Sequence, residues 1–230
     1  METENIKSDN ENANKQPLAN MNAIQSYLTE NEELAFMHIL YSSSATIRAG
    51  NFGLSRNEVE KQLNISEDDD QFYSFINRVN QGLSRYYKLI YDKKRDQVVV
   101  MLRTTARMAK RTLSKEALAI LLLMFYQQEV LQHEFTLLSQ IFDAFGHEQL
   151  RASQKIKVNM NTLKKIGAVE EFQSDSNEEA YSLTAIGAHM FSDSFLRRTI
   201  EFSHSQQFNK EEVLKFFKRY HVQHWESETE

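Results

Sequence analysis

Residues 87–102 read YKLIYDKKRDQVVVML. Two runs rich in β-branched and aromatic residues, Tyr87–Tyr91 and Gln97–Leu102, flank the polar stretch Asp92–Asp96, and this pattern predicts a β-hairpin. Upstream, the periodicity is helical. Thr29–Ser43 carries Leu34, Met37, Ile39, Leu40 and Tyr41 at roughly helical spacing, with Thr29 as a candidate N-cap and acids in the first turn. Arg56–Leu63 predicts a second, short helix, because Ser55 and Glu58 stand at the spacing of a capping box. A third helix from about Asp68 to Leu83 places Phe72, Phe75, Ile76 and Val79 on one face.

Downstream of the hairpin the same order returns. Ser114 caps a helix whose run Ala117–Tyr126 is apolar on most of its circumference; Phe135–Phe145 predicts a second helix and Leu150–Ile166 a third, stopped by Gly167. Ala168–Phe172 and Ala180–Leu183 then flank a polar turn at Gln173–Glu179. Helix, helix, helix, hairpin is the order of a winged helix. The expected fold class is therefore mainly α with small β-hairpins (α+β): tandem winged-helix domains plus C-terminal helices. The expected organisation is a disordered tail at 1–27, a first winged-helix domain at 28–103, a basic connector at 104–112, a second winged-helix domain at 113–184 and C-terminal helices at 185–230. In the last segment, Thr184 is read as capping a helix to about Phe202, and Lys210–Trp225 as an amphipathic helix with Val213, Phe216, Phe217, Tyr220 and Trp225 near one stripe.

Composition bounds the function. One Pro and six Gly against fifteen Phe and nine Tyr favour helices over a many-stranded sandwich. The absence of Cys removes disulfides and thiolate metal sites, which fits a reducing cytoplasm. Met1–Lys15 has no apolar run and reads as a tail rather than a signal peptide, while Ala117–Tyr126 is half the length a bilayer span needs; no membrane association is expected. The net charge of −5 argues against a protein that merely coats nucleic acid, but ten of the 27 basic residues lie in two windows free of acids, Arg103–Lys115 and Leu150–Gly167.

The second window is the more informative. At 100° per residue, Ile156, Met160 and Leu163 share one side of a helix, and Arg151, Lys155, Lys157, Lys164 and Lys165 fall on the other half. A helix packed on one side and cationic on the other, third in its unit, is the element that enters a major groove. The competing reading is a solvated lysine-rich face. The connector residues Arg103, Arg107, Lys110 and Arg111 form the second candidate phosphate contact, against the plainer reading of a solvated linker. The wing opposes both, since Glu170, Glu171, Asp175, Glu178 and Glu179 would repel phosphate. An acidic wing serves equally as a docking surface for a basic segment or as a solubilising edge.

Catalytic constellations are missing. His133-Glu134 and His147-Glu148 lack the second histidine of a zinc-protease helix, His221 and His224 lack a third ligand, and Gly50 and Gly53 are not followed by the Lys-Ser/Thr of a phosphate loop. No enzyme activity, cofactor or metal is expected.

Several stretches carry a family likeness: Tyr87–Asp92 followed by Val98–Arg103, Leu113–Leu123, Asn161–Glu170 running into the wing, and Tyr181–Ala188. Over roughly residues 70–200 the chain resembles the MukE-like, kleisin-interacting tandem winged-helix subunits of bacterial SMC (condensin-like) complexes, including those of Wadjet plasmid-defence systems. The resemblance implies a cytoplasmic, nucleoid-associated homodimer that binds a kleisin-like subunit bridging an SMC-type ATPase and lies close to double-stranded DNA, in chromosome segregation or plasmid defence. Catalysis would reside in the partners. No individual kleisin-binding residue carries over. The alternative is a free-standing winged-helix transcriptional regulator or replication initiator that reads an operator with the third helix of its second unit.

Overall fold

The structure is a computed structural model and describes residues 27–43, 53–66, 68–83, 87–102, 113–145, 150–174 and 178–191. The chain divides into two compact units, Met1–Met108 and Ala109–Glu230. Both are mainly helical with small antiparallel sheets.

In the first unit, α1 (Glu30–Ser42), α2 (Arg56–Leu63) and α3 (Asp69–Leu83) precede β1 (Tyr87–Asp92) and β2 (Gln97–Leu102). Capping boxes start the first two helices, at Ser55 as the sequence suggests and at Thr29, where it indicates an N-cap alone. The Thr29 N–H donates to the Glu32 carboxylate at 2.9 Å, and the Ser55 N–H to that of Glu58 at 2.8 Å. The hairpin pairs Tyr87 with Leu102 through Asp92 with Gln97. Its turn is organised by the buried Asp92, whose carboxylate accepts from the Lys94 and Arg95 N–H groups at 3.0 and 3.1 Å and from the Arg95 guanidinium at 2.8 Å. Phe36, Ile39, Val59, Phe72, Phe75, Val79, Leu89 and Val98 are among the side chains of a single core cluster.

Two contacts tie the hairpin to the helices. The Asn80 amide donates to the Leu89 carbonyl and accepts from its N–H, each at 2.8 Å, giving α3 the bonding pattern of a neighbouring strand. On the other side, Leu54 forms a bridge to Val98 that the sequence did not indicate. Gly53 permits it: with φ +126, an added Cβ would stand 2.7 Å from the Val98 carbonyl oxygen.

The apolar residues of the first helix divide between core and solvent. The sequence places Leu34, Met37 and Tyr41 among the apolar positions of the first helix, yet α1 buries Ala35, Phe36, Ile39 and Ser42 and leaves Leu34 52%, Met37 42% and Tyr41 60% exposed. The helix is apolar on more than one side, so periodicity alone did not choose which side faces the core. Glu32 then sits on the buried side and pairs with Arg78 of α3.

In the second unit, α4 (Lys115–Phe125) starts at Ser114, whose hydroxyl accepts from the Ala117 N–H at 3.0 Å. Ala119–Phe125 are all buried, as a helix apolar all round requires. The helix runs on into a wider turn, Tyr126–Val130, which carries Gln128 inside the fold at 1% exposure. Its amide donates to the Thr136 hydroxyl and the Tyr181 carbonyl, both at 3.0 Å, and accepts from the Leu183 N–H at 2.8 Å. Every polar atom of that side chain is engaged with the sheet it faces.

That sheet corrects a second expectation. Residues 135–145 read as one helix, but Thr136–Leu137 form β3, which pairs with β5 (Ala180–Leu183), and only Leu138–Phe145 form α5. With β4 (Val169–Phe172), the strand order is β3-β5-β4. The buried Thr136, bonded to Gln128, supplies the tertiary contact that outweighs local periodicity. A third correction concerns Thr184, which caps a helix as expected, though α7 is the single turn Ala185–Ala188 followed by a turn at His189. The expected Lys210–Trp225 helix and the 1–26 tail lie outside the described residues.

The helix α6 (Leu150–Lys165) ends as its glycine predicts. Gly167 has φ +71, its N–H donates to the Lys164 carbonyl and the Ala168 N–H to that of Leu163, each at 3.0 Å, which is a Schellman motif. Directly beyond it, Gly187 of α7 packs against the Ala168 backbone so closely that an added Cβ would lie 1.9 Å from the carbonyl oxygen.

Two predictions follow from these contacts. Gly187→Ala should destabilise the protein by about 1–3 kcal/mol, as overpacking against rigid backbone does. Gly82→Ala, where the new methyl would meet only the Tyr27 ring at 3.6 Å, should be neutral or stabilising by up to about 1 kcal/mol. Thermal melts of the two variants that agree with each other would contradict this. The second concerns acid: burial acts to raise the Glu32 carboxyl, but the Thr29 N–H and the Arg78 guanidinium together outweigh it and hold the group below its usual range. A depressed folded value gives stability that is complete above the unfolded value of about 4.3 and lost as pH falls through the folded one. The stability gap between wild type and Glu32→Gln should therefore narrow on acidification below that value; a constant gap would show that the charge is not linked to folding.

Candidate nucleic-acid interface

The cationic third helix of the second unit is α6, and its two faces are separated by burial. Ile156, Met160 and Leu163 are core residues packed with those of α4, such as Ile120 and Met124. Lys155, Lys157 and Lys165 are exposed and make no ion pair among the described residues. Gln154, Val158 and Asn161 are exposed beside them. No Asp or Glu occurs anywhere in α6. The last two lysines also stand in its final turn, where a helix dipole favours positive charge.

Lys164 departs from the group. It is half-buried, and its ammonium pairs with the carboxylate of Glu171 on β4. The expectation that Lys164 shares the cationic half is corrected: at 100° per residue it stands only 40° from the buried Met160, and its ammonium turns to Glu171 of β4 rather than outward. Arg151 belongs to the first turn of α6, but its side chain lies outside the described residues, as do Arg103, Arg107, Lys110 and Arg111. Lys155 and Lys157 stand about 160° apart on the two flanks of the exposed side of α6, with Lys165 between them in azimuth at its C-terminal end, and Lys164 differs in being paired with Glu171.

The acidic wing also takes on a different character. The Glu178 carboxylate accepts from the Ser139 N–H at 3.0 Å, satisfying the open N-terminus of α5. Glu179 accepts from the Tyr181 hydroxyl at 3.1 Å, and Glu170 from the Ser182 hydroxyl at 3.4 Å. Burial and the neighbouring Glu179 carboxylate push the Tyr181 phenol up to about 12, so it remains a neutral donor. Four of the five wing carboxylates have a local partner, which accounts for the acids without a basic docking segment; Asp175 lies outside the described residues. Nothing in the linear sequence signals the Glu178 contact, because it exists only once β3 has paired with β5.

The corresponding helix of the first unit is chemically unlike α6. Its exposed positions include Asp69, Asp70, Gln71, Ser74, Asn77 and Arg78. Arg56 at the start of α2 is held by Glu60 and Asp69 and lies over the Phe72 ring at 4.9 Å. The exposed lysines of α6, on a helix without acids, have no counterpart on α3 among the described residues. Among the described residues no group of three His, Asp or Glu side chains is placed to hold a metal ion, and no helix is long and apolar enough to cross a membrane.

Alanine substitution of Lys155, Lys157 or Lys165 should each weaken duplex binding and lower its salt dependence by roughly one unit of slope. Lys164→Ala should change it less, and Glu171→Gln should tighten it by releasing Lys164. Equal losses at all four lysines in a salt titration would show that the Lys164–Glu171 pair does not persist in solution.

No protein-family model matches the chain, and no match was found among curated proteins. Among solved structures, it is similar to a chain described as "Nse1-Nse3-Nse4 complex", with 13% identity and a TM-score of 0.41 over 82% of this chain and 95% of that one. At that distance the likeness assigns neither partner nor activity, and function rests on the surfaces themselves.

Proposed function

We propose that this protein is a non-catalytic accessory subunit of a bacterial SMC complex, made of two winged-helix units, which binds a kleisin-like partner and lays α6 against duplex DNA. The observation that carries the DNA part is the outward face of α6, where Lys155, Lys157 and Lys165 stand exposed on a helix with no carboxylate. Such a face attracts phosphate through charge and counterion release, without any catalytic group. A protein partner is supported by the stripe Leu34, Met37 and Tyr41 on α1, three large side chains left in water at i, i+3 and i+7. The sequence resemblance supplies the rest of the reading: the kleisin, the ATPase that does the chemical work, the homodimeric state, and chromosome organisation or plasmid defence as the setting.

A second reading has its own support. A free-standing regulator needs a helix that distinguishes bases, and the centre of the exposed α6 face is uncharged, at Gln154, Val158 and Asn161. Purification of the tagged full-length protein from its own host separates the two. Recovery of a kleisin-like protein together with a coiled-coil ATPase is expected. Recovery of the chain alone, with chromatin immunoprecipitation concentrated at one operator, would overturn the accessory-subunit reading in favour of the regulator.

A further inference from the structure

We infer that the outward face of α1 docks an antiparallel amphipathic helix of a protein partner, one with three apolar layers along its seam and a Lys or Arg in its last turn. The inference rests on the proposed reading that α1 meets a protein partner, and it adds the chemistry of that partner. Leu34, Met37 and Tyr41 are exposed and stand at i, i+3 and i+7, the a, d and a positions of a heptad. They span roughly 10 Å of helix at 1.5 Å per residue. The other large apolar side chains exposed among the described residues stand singly: Tyr27 ahead of α1, Leu102 on β2, Leu131 beyond α4 and Val158 on α6. Scattered singly they need no cover, whereas three in one seam do.

The seam changes character toward the start of the helix. In the same heptad frame the preceding d position is Glu30, which is exposed, and the g position beside it is Glu33, which is half-buried. Glu32 is turned inward to Thr29 and Arg78 instead. The helix holds these three acids and no Lys or Arg. A fourth layer of the partner therefore lies over a carboxylate that no cation of α1 neutralises. An apolar residue there would bury the charge at a cost, and an acid would be repelled. A Lys or Arg meets the charge while its methylene stem covers the seam.

Helix ends set the orientation. Glu30 lies in the first turn of α1, directly after the Thr29 cap. A cation facing it sits in the last turn of an antiparallel helix, where that helix's own dipole favours positive charge, but in the first turn of a parallel one, where the dipole opposes it. A second α1 does not fit. Parallel pairing sets Glu30 against Glu30, and antiparallel pairing finds no Lys or Arg anywhere in the helix. The platform is also fixed before a partner arrives, because the capping box, the Glu32–Arg78 pair and the burial of Phe36 and Ile39 hold α1 in place. Met37 is the central layer, where contact energy concentrates, and Tyr41 adds a large side chain with a polar tip.

Two synthetic helical peptides test this by fluorescence anisotropy with the full-length protein. Each carries three leucine layers at heptad spacing, and they differ only in Lys or Glu at the layer that meets Glu30. The Lys peptide should bind roughly tenfold more tightly. Glu30→Lys should reverse that preference, which no loss of stability can produce. Met37→Asp should weaken the Lys peptide by about tenfold or more without lowering the melting temperature, since the site is exposed. No binding, equal affinity for the two peptides, or an unchanged preference in Glu30→Lys would overturn the inference. So would loss of self-association in Met37→Asp, which assigns the stripe to a second copy, or a fall in its melting temperature, which assigns it to the chain's own residues. Recovery of a kleisin-like protein and a coiled-coil ATPase with Met37→Asp as with wild type would overturn the inference and leave the accessory-subunit reading standing. Their absence from the wild-type purification, with the peptide preference and its reversal intact, would overturn that reading and leave the inference.

Discussion

Burial of Ile156, Met160 and Leu163 against α4 is the interaction on which the second unit depends. Each such side chain contributes about 1.5–3 kcal/mol on leaving water. Because the three lie on one side of α6, the same burial decides which side faces outward, and it presents Lys155, Lys157 and Lys165 from a fixed helix rather than a loop. The Schellman turn at Gly167 and the close seat of Gly187 on Ala168 hold the end of that helix to the sheet. A ligand meeting this face encounters side chains already arranged, so little ordering is needed on binding.

The two units share an order of elements and differ in chemistry. In both, a segment between the first and second helices pairs with the last strand of the hairpin: Leu54 with Val98 in the first unit, and Thr136–Leu137 with Tyr181 and Ala180 in the second. In the first, Glu60 and Asp69 hold Arg56 around α2 and α3, and α1 leaves Leu34, Met37 and Tyr41 outward beside Glu30, Asn31 and His38. In the second, the acids are engaged at the sheet edge and the helix face is cationic. One unit thus suits protein contact and the other nucleic acid, which is the division of labour proposed above.

Much of this was legible in the sequence, for identifiable reasons. Capping residues announce themselves locally, so Thr29, Ser55, Ser114 and Thr184 begin helices where expected, and Gly167 ends one. Hydrophobic period found the buried side of α6 because its apolar residues are few and in phase. It failed at α1, where too many residues are apolar to indicate one face, and at Thr136–Leu137, where a strand is made by pairing with residues some forty positions away. The candidate site was found as a set of five cations, but a count of charges carries no partners. That Lys164 belongs to Glu171, and that Glu178 caps α5, depends on how β4 and β5 return past the helix.

The central claim is that the outward face of α6 is where duplex DNA sits. Lysine acetylation of the full-length protein, free and saturated with duplex and quantified by mass spectrometry, tests it residue by residue. The account requires strong protection of Lys155, Lys157 and Lys165 in the complex, with Lys61 and Lys88 of the first unit labelled equally in both states. Unchanged labelling of the three α6 lysines alongside protection elsewhere would contradict it.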